Sequence, residues 1–150
     1  MKNSIKSFLC FIVFFLNLHS VSFSGEEFIF NVTEIKISEN GNQINGYKGG
    51  TVKTEDGDEI IAKEFSYNKI ANVLEAYGSV RLINKLNNIT IFSDKAVYLK
   101  NEEKVITKGN SKAIDDNNTI TANEFNYDKS NNILNAKKNV EIIDIEKDIK

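Results

Sequence analysis

From Phe28 onward, apolar side chains fall at every second position in short runs, and each run ends in a cluster of Asn, Asp, Gly and Lys. Period-two alternation rich in β-branched and aromatic residues marks a strand with one face buried. The runs predict strands at 26–38, 43–54, 59–67, 73–84, 89–99, 105–114, 119–127 and 133–144. In the first, Phe28, Phe30 and Val32 share one parity and Ile35 and Ile37 the other. Such a switch calls for a bulge or bend near Thr33–Glu34. Gly46, Gly49 and Gly50 interrupt the second run, and glycine inside a strand marks a bulge or the close approach of another backbone or a ligand. No segment shows a helical period, and the chain has no proline.

The pattern repeats. Residues 56–84, shifted by sixty, lie on 116–144 without a gap, with Ile60/Ile120, Ala62/Ala122, Phe65/Phe125, Tyr67/Tyr127, Lys69/Lys129, Asn72/Asn132, Leu74/Leu134, Ala76/Ala136 and Val80/Val140 among the identities. Between them lies a weaker copy, in which Ala96, Tyr98, Lys100, Val105, Thr107, Gly109, Ser111 and Ala113 stand for Phe65, Tyr67, Lys69, Leu74, Ala76, Gly78, Val80 and Leu82. A degenerate first copy aligns Ile37, Asn42, Ile44, Gly46, Lys48 and Val52 with Tyr67, Asn72, Leu74, Ala76, Gly78 and Leu82. A strand-turn-strand unit cannot bury its own apolar face, so copies stack to share one core. The expectation is an all-β fold: an elongated, repeat-built β-jellyroll of about eight or more antiparallel strands with open ends.

The first 24 residues carry the marks of an export signal. Lys2 and Lys6 lead an apolar core from Phe8 to Leu16, and Ser22 and Ser24 precede a cleavage point before Gly25. That core is shorter than the ~20 residues of a spanning helix. Cleavage would remove the lone Cys, His and Met and leave 17 basic against 21 acidic residues. The acidic balance argues against a nucleic-acid partner, which needs a clustered basic face. Catalysis by nucleophile or general base wants His, Cys or paired carboxylates in a cleft, and residues 25–150 offer no His or Cys. Asp56-Gly57-Asp58 and Asp115 to Asn118 lack calcium-loop spacing and are read as solvated turns. No enzyme, cofactor or metal is expected.

What remains is the inward face. Phe65, Tyr67, Leu74, Ala76, Val80 and Leu82, with Tyr98, Val105, Phe125, Tyr127, Leu134 and Val140, are expected to point inward and to line an apolar groove. The middle copy is small and polar where its neighbours are large, so the core there would thin into a trough suited to an acyl chain. Lys69, Lys100 and Lys129 close the aromatic strands, where they either solubilise turns or meet phosphates at the mouth of the groove.

The pattern Ile-x-Ala-x-x-Phe-x-Tyr-x-Lys-x-x-Asn-x-Leu-x-Ala-x-Gly-x-Val at Ile60 to Val80 resembles the OstA-like repeats of the lipopolysaccharide-transport proteins. That family comprises the periplasmic bridge protein LptA, the membrane-anchored LptC and the periplasmic N-terminal domain of the outer-membrane protein LptD. The resemblance covers Phe28 to Lys150 and implies a non-enzymatic β-jellyroll, residues 25–150, whose interior shields lipid A chains in the periplasm. It also implies joining edge to edge with other jellyroll transport proteins, peripheral to membranes. The third copy departs from the pattern at Ala96 and Thr107. A cleavable signal fits the bridge protein or the outer-membrane component better than the anchored member, and an ending partway through a repeat leads to the expectation of a longer chain. The edge from Phe28 to Ile37 lacks the proline, inward charge or cover that blunts exposed strands, so it is expected to dock another strand. So is the far edge near Val140 to Lys150. Two further readings are a repeat-built adhesin with a packed core and no ligand, and a fragment of a calcium-dependent hydrolase.

Overall fold

The computed structural model describes residues 28–144. The export signal, its cleavage point and the last six residues lie outside the described residues. Among the described residues ten strands form one antiparallel sheet: β1 (Ile29–Ser38), β2 (Gln43–Lys53), β3 (Glu59–Ala62), β4 (Glu64–Asn68), β5 (Val73–Asn84), β6 (Ile89–Leu99), β7 (Lys104–Ile114), β8 (Asn118–Asp128), β9 (Ile133–Lys137) and β10 (Glu141–Asp144). The order is β1-β2-β3-β5-β6-β7-β8-β10, with β4 between β2 and β5 and β9 beside β8. Most connections are short hairpins, so neighbours in sequence are neighbours in the sheet.

Two runs expected as single strands are each broken in the middle. Residues 59–67 divide at Lys63, whose N–H turns to the carbonyls of Tyr77 and Gly78 at 3.0 and 3.1 Å. Residues 133–144 divide at 138–140. Both breaks belong to one feature that recurs across the sheet. Lys48–Gly49, Gly78–Ser79, Gly109–Asn110 and Lys138–Asn139 are consecutive pairs with positive φ, in phase with the repeat. The register shifts at Val32/Glu34 opposite Lys48–Gly49, at Tyr77/Val80 around Gly78–Ser79, and at Phe92/Lys95 and Lys108/Ser111 opposite and around Gly109–Asn110, while Lys138–Asn139 falls between β9 and β10. The slip expected near Thr33–Glu34 is the first of these.

A bulge bends its strand and steepens the twist. Four in a row fold the sheet over along one line, so the two halves of each long strand face each other across a shared core. Partner strands swap parity at the bend to stay inward: Ile89, Ile91 and Ser93 are buried before it in β6, and Ala96 and Tyr98 after it. The turns therefore form two rims. One carries 39–42, 69–72, 100–103 and 129–132, and the other carries 54–58, 85–88 and 115–117.

Two glycines show how tight the bend is. A Cβ on Gly109, at φ +79°, would lie 2.4 Å from a carboxylate oxygen of Asp94. One on Gly50 would lie 2.4 Å from the Asn31 carbonyl oxygen and 2.6 Å from the Val32 Cα, so β1 reaches β2 only because that Cβ is missing. Gly50→Ala should therefore push β1 off β2 and cost about 1–3 kcal/mol, measured by urea denaturation. Gly57→Ala, with nothing within 4 Å of its Cβ, should keep the β1–β2 pairing intact by hydrogen exchange.

Candidate functional site

The inward face is built from the repeat. Phe65, Tyr67, Leu74, Ala76, Val80, Leu82, Tyr98, Val105, Phe125 and Tyr127 are all buried in one core, with Leu134 half-buried against it. Val140 is a correction. It is 46% exposed, because it stands just before β10, the last strand in the sheet order among the described residues, with no further strand to cover its inward side. Phe28 stands edge-on to Tyr67 and Tyr98, at 4.8 and 5.7 Å between ring centres, and ties the residue before β1 to the opposite layer.

In the thinned middle copy the polar side chains find partners. Thr107 and Ser111 are buried, but they bond to each other at 2.7 Å, and the Phe125 N–H donates to the Thr107 hydroxyl at 3.1 Å. Their polarity is satisfied within the core. A cavity of about 120 Å³ lies near the second rim, lined by Asn87, Ile89, Ala113, Asp115, Ile120, Tyr127, Asn132 and Leu134. A hollow of about 690 Å³ lies on the outer surface at the first bend, lined by Glu34, Tyr47, Lys48, Gly49, Lys63 and Glu64. Four of its six lining residues are charged.

The three repeated lysines share a backbone role. The N–H groups of Lys69, Lys100 and Lys129 donate to the carbonyls of Asn42, Asn72 and Glu103 at 2.9, 3.0 and 2.9 Å, stitching each turn to the one before. In each copy the tyrosine two residues earlier donates its hydroxyl to the left-handed residue that ends the turn. Tyr67 reaches Asn72 at 3.3 Å, Tyr98 reaches Glu103 at 3.0 Å and Tyr127 reaches Asn132 at 3.1 Å. The side chains of the lysines then diverge. Lys69 is exposed, and the Lys100 ammonium sits 5.5 Å over the Phe28 ring.

Lys129 departs from both roles expected of it. Its side chain is 4% exposed, and its ammonium meets Asp58 at 2.7 Å, Asp56 at 2.8 Å and Glu103 at 3.2 Å. It also donates to the Tyr98 hydroxyl at 3.0 Å. An ammonium so surrounded is not offered to an outside phosphate. The turn read as solvated is half of this cluster: Asp58 is 4% exposed and is held by a turn in which its N–H donates to Thr54 Oγ1 at 3.0 Å. The belt continues along the seam between the rims. Asn84 bonds to Asp58 and accepts the Asn87 N–H at 2.7 Å, and the Asn87 amide donates to the Tyr127 hydroxyl at 2.9 Å.

The OstA-like protein family matches residues 29–149. The chain belongs to the OstA-like family. Among solved structures it is similar to LptH from Pseudomonas aeruginosa, described as the LptA-homologous periplasmic component of the conserved lipopolysaccharide transport device. The TM-score is 0.72 at 12% identity, covering 79% of this chain and 94% of that one. At that identity the likeness shows the fold, a β-jellyroll. A sequence comparison with curated proteins finds no match.

Within this OstA-like jellyroll the acids Asp56, Asp58 and Glu103 are the residues that period and parity overlooked. One signal existed: Glu103 stands where Asn72 and Asn132 end the other turns, a carboxylate replacing an amide in an otherwise repeated position. Their electrostatics follow from burial and from Lys129. Burial pushes Asp58 above the usual carboxylate range, with Lys129 opposing it. Burial also acts to raise Asp56, but hydrogen bonds from Lys129 and Thr54 outweigh it and hold Asp56 below that range. Burial disfavours the charged form of Lys129, yet bonds to Asp56, Asp58 and Tyr98 prevail and hold it well above its ordinary value. Burial raises the Tyr98 hydroxyl as well, against the pull of Lys129.

Two measurements check this cluster. Lys129→Met leaves the buried Asp58 unpaired and should cost about 3–5 kcal/mol. Asp58→Asn removes the carboxylate that burial penalises, keeps the pairs to Asp56 and Glu103, and should cost under about 1 kcal/mol. The folded values of Lys129 and Tyr98 both lie above their unfolded ones, so the stability they contribute is present below the ordinary values of 10.5 and 10.0 and is lost as pH rises through the folded values. The melting temperature should fall above about pH 10, and less steeply in Lys129→Met.

Proposed function

We propose that this domain is a non-enzymatic periplasmic element of lipopolysaccharide transport. Its inward face shields lipid A acyl chains, and its edges join it to further jellyrolls. One observation carries the reading: the apolar inward face runs on past the closed core to both free edges of the sheet. At the first edge Ile35 and Ile37 pair with the inward Gly46 and Ile44, yet are 48% and 60% exposed. At the last, Ile142 pairs with the inward Ile120 and is 62% exposed. One layer overhangs at each end, so the overhang of one jellyroll can cover that of the next and continue a single apolar surface. β-Strand addition supplies the backbone bonds for such a joint. Membership of the OstA-like family and the likeness to LptH, itself a periplasmic component of lipopolysaccharide transport, support a periplasmic transport role. In that role the signal is cleaved before Gly25 and the partners include the outer-membrane component. The inward residues Phe65, Tyr67, Leu74, Ala76, Val80 and Leu82 are the core of the proposed lipid face.

A second reading is favoured by the packing: a stacked structural protein that binds no ligand, since the cavity near the second rim holds about 120 Å³ where small-molecule sites usually need about 300–1,000 Å³. A photo-crosslinking residue separates the two. At Leu74 or Val80, which are buried, it should label lipopolysaccharide in cells. At Glu75 or Arg81, on the opposite face, it should not. Equal labelling at both parities, or none at the inward ones, overturns the transport reading. For the joint, Ile35→Lys with Ile37→Lys should abolish concentration-dependent or partner-dependent association in size-exclusion and crosslinking while leaving the monomer's β content unchanged. Association that survives both charges overturns the edge assignment.

A further inference from the structure

The closed interior and an acyl-chain ligand are compatible only if the roll opens, and the structure shows where. Along the bend the two layers are joined by continuous strands and cannot part. Opposite the bend they meet at a seam between the two rims. There the β2–β3 turn, with Asp56 and Asp58, touches the β8–β9 turn through Lys129, which also bonds Glu103 on the neighbouring β6–β7 turn. Among the described residues every other ion pair is local or joins neighbours in the sheet: Glu34–Lys48, Lys53–Glu59, Lys85–Glu59, Lys95–Glu75, Glu102–Lys104 and Glu124–Lys138. Lys129 alone among these cations holds one layer to the other. The Asn87–Tyr127 bond is the next tie along the same seam.

We propose that the Lys129 cluster is a releasable latch, and that the layers part at this seam to admit an acyl chain. The proposal rests on the reading of the interior as the ligand's site. A seam closed by ion pairs differs physically from one closed by apolar packing. Parting apolar surfaces in water loses the whole burial energy. Parting a buried ion pair returns both charges to water, and the regained hydration offsets most of the lost attraction. The latch thus fixes which turns meet without making the closed state deep. It is also asymmetric: three carboxylates share one ammonium. Without the ammonium the same groups repel, and the seam changes from closed to open. The cavity of about 120 Å³ reaches Tyr127 and Asn87 on this seam, so an opening there enlarges a space that already exists.

The test compares uptake of a fluorescent long-chain fatty acid by three forms of the purified protein. The first is unmodified. The second is locked by carbodiimide, which condenses the Lys129 ammonium with the adjacent Asp56 or Asp58 carboxylate, water leaving to hydrate the carbodiimide to its urea. The third is Lys129→Met, given the same carbodiimide treatment, which controls for amides formed elsewhere on the sheet. The locked form should take up the probe roughly tenfold more slowly than the unmodified one, as expected when a minor open state is suppressed. Treated Lys129→Met should take it up faster than the unmodified protein. If Lys129→Met does not fold, Asp58→Asn, which keeps two of the three ion pairs, should show a smaller acceleration. Equal uptake by locked and unmodified protein overturns the latch and leaves the transport reading standing. No uptake by any form, Lys129→Met or Asp58→Asn included, overturns the interior as a ligand site and the latch with it.

Discussion

The structure depends on pairs of consecutive residues held in the left-handed region. Lys48–Gly49, Gly78–Ser79, Gly109–Asn110 and Lys138–Asn139 each bend the sheet at the same line. Non-glycine residues in that region carry strain of order 1–3 kcal/mol each, and five of these eight are not glycine. The return is geometric. A single flat antiparallel sheet would leave its whole apolar face in water. Folded along one line, the same sheet covers itself, and Phe65, Leu74, Val105 and Phe125 fall below 3% exposure. Everything else in the molecule follows from that fold: the two rims, the seam between them and the overhanging ends.

The copies of the repeat share a scaffold and differ where the roll closes. Each turn is stitched to its predecessor through a lysine N–H and capped by a tyrosine hydroxyl. These contacts need only backbone geometry and one phenol, so they survive where sequence drifts. The differences of the middle copy go to satisfying polarity. Thr107 and Ser111 answer each other and the Phe125 N–H, and Glu103 turns a turn-capping amide into a partner for a cation one turn away along the rim. An unpaired buried polar group would cost about 1–3 kcal/mol, which explains why these substitutions come as a set.

An apolar face that stops short of the sheet's edge would make a self-contained domain. Here it does not stop. Ile35, Ile37 and Ile142 stay on the inward side after the opposite layer has run out. Free strand edges with apolar flanks normally carry charge, proline or cover as protection against pairing. On the first edge the inward-side positions beyond the core are isoleucines. Interior and edge are thus one continuous surface, and transport along it and assembly through it would draw on the same residues.

Alternation and repeat were enough to read the all-β class, the strand positions, the parity switch in β1 and the inward parity of Phe65, Tyr67, Leu74 and Val80, because local geometry ties side-chain direction to position along a strand. The same rules could not see that Lys63 and Lys138 break their strands, since a left-handed bend in one strand is set by its pairing with the next. Nor could they place Lys129. Locally it is the third of three equivalent lysines, and Asp56 and Asp58 are an ordinary turn. The pairing of Lys129 with Asp56 spans 73 residues and exists only because the folded sheet brings opposite rims together. Period and parity describe one strand and its neighbours; what closes the roll is a contact between layers, and only the tertiary structure decides which residues meet there.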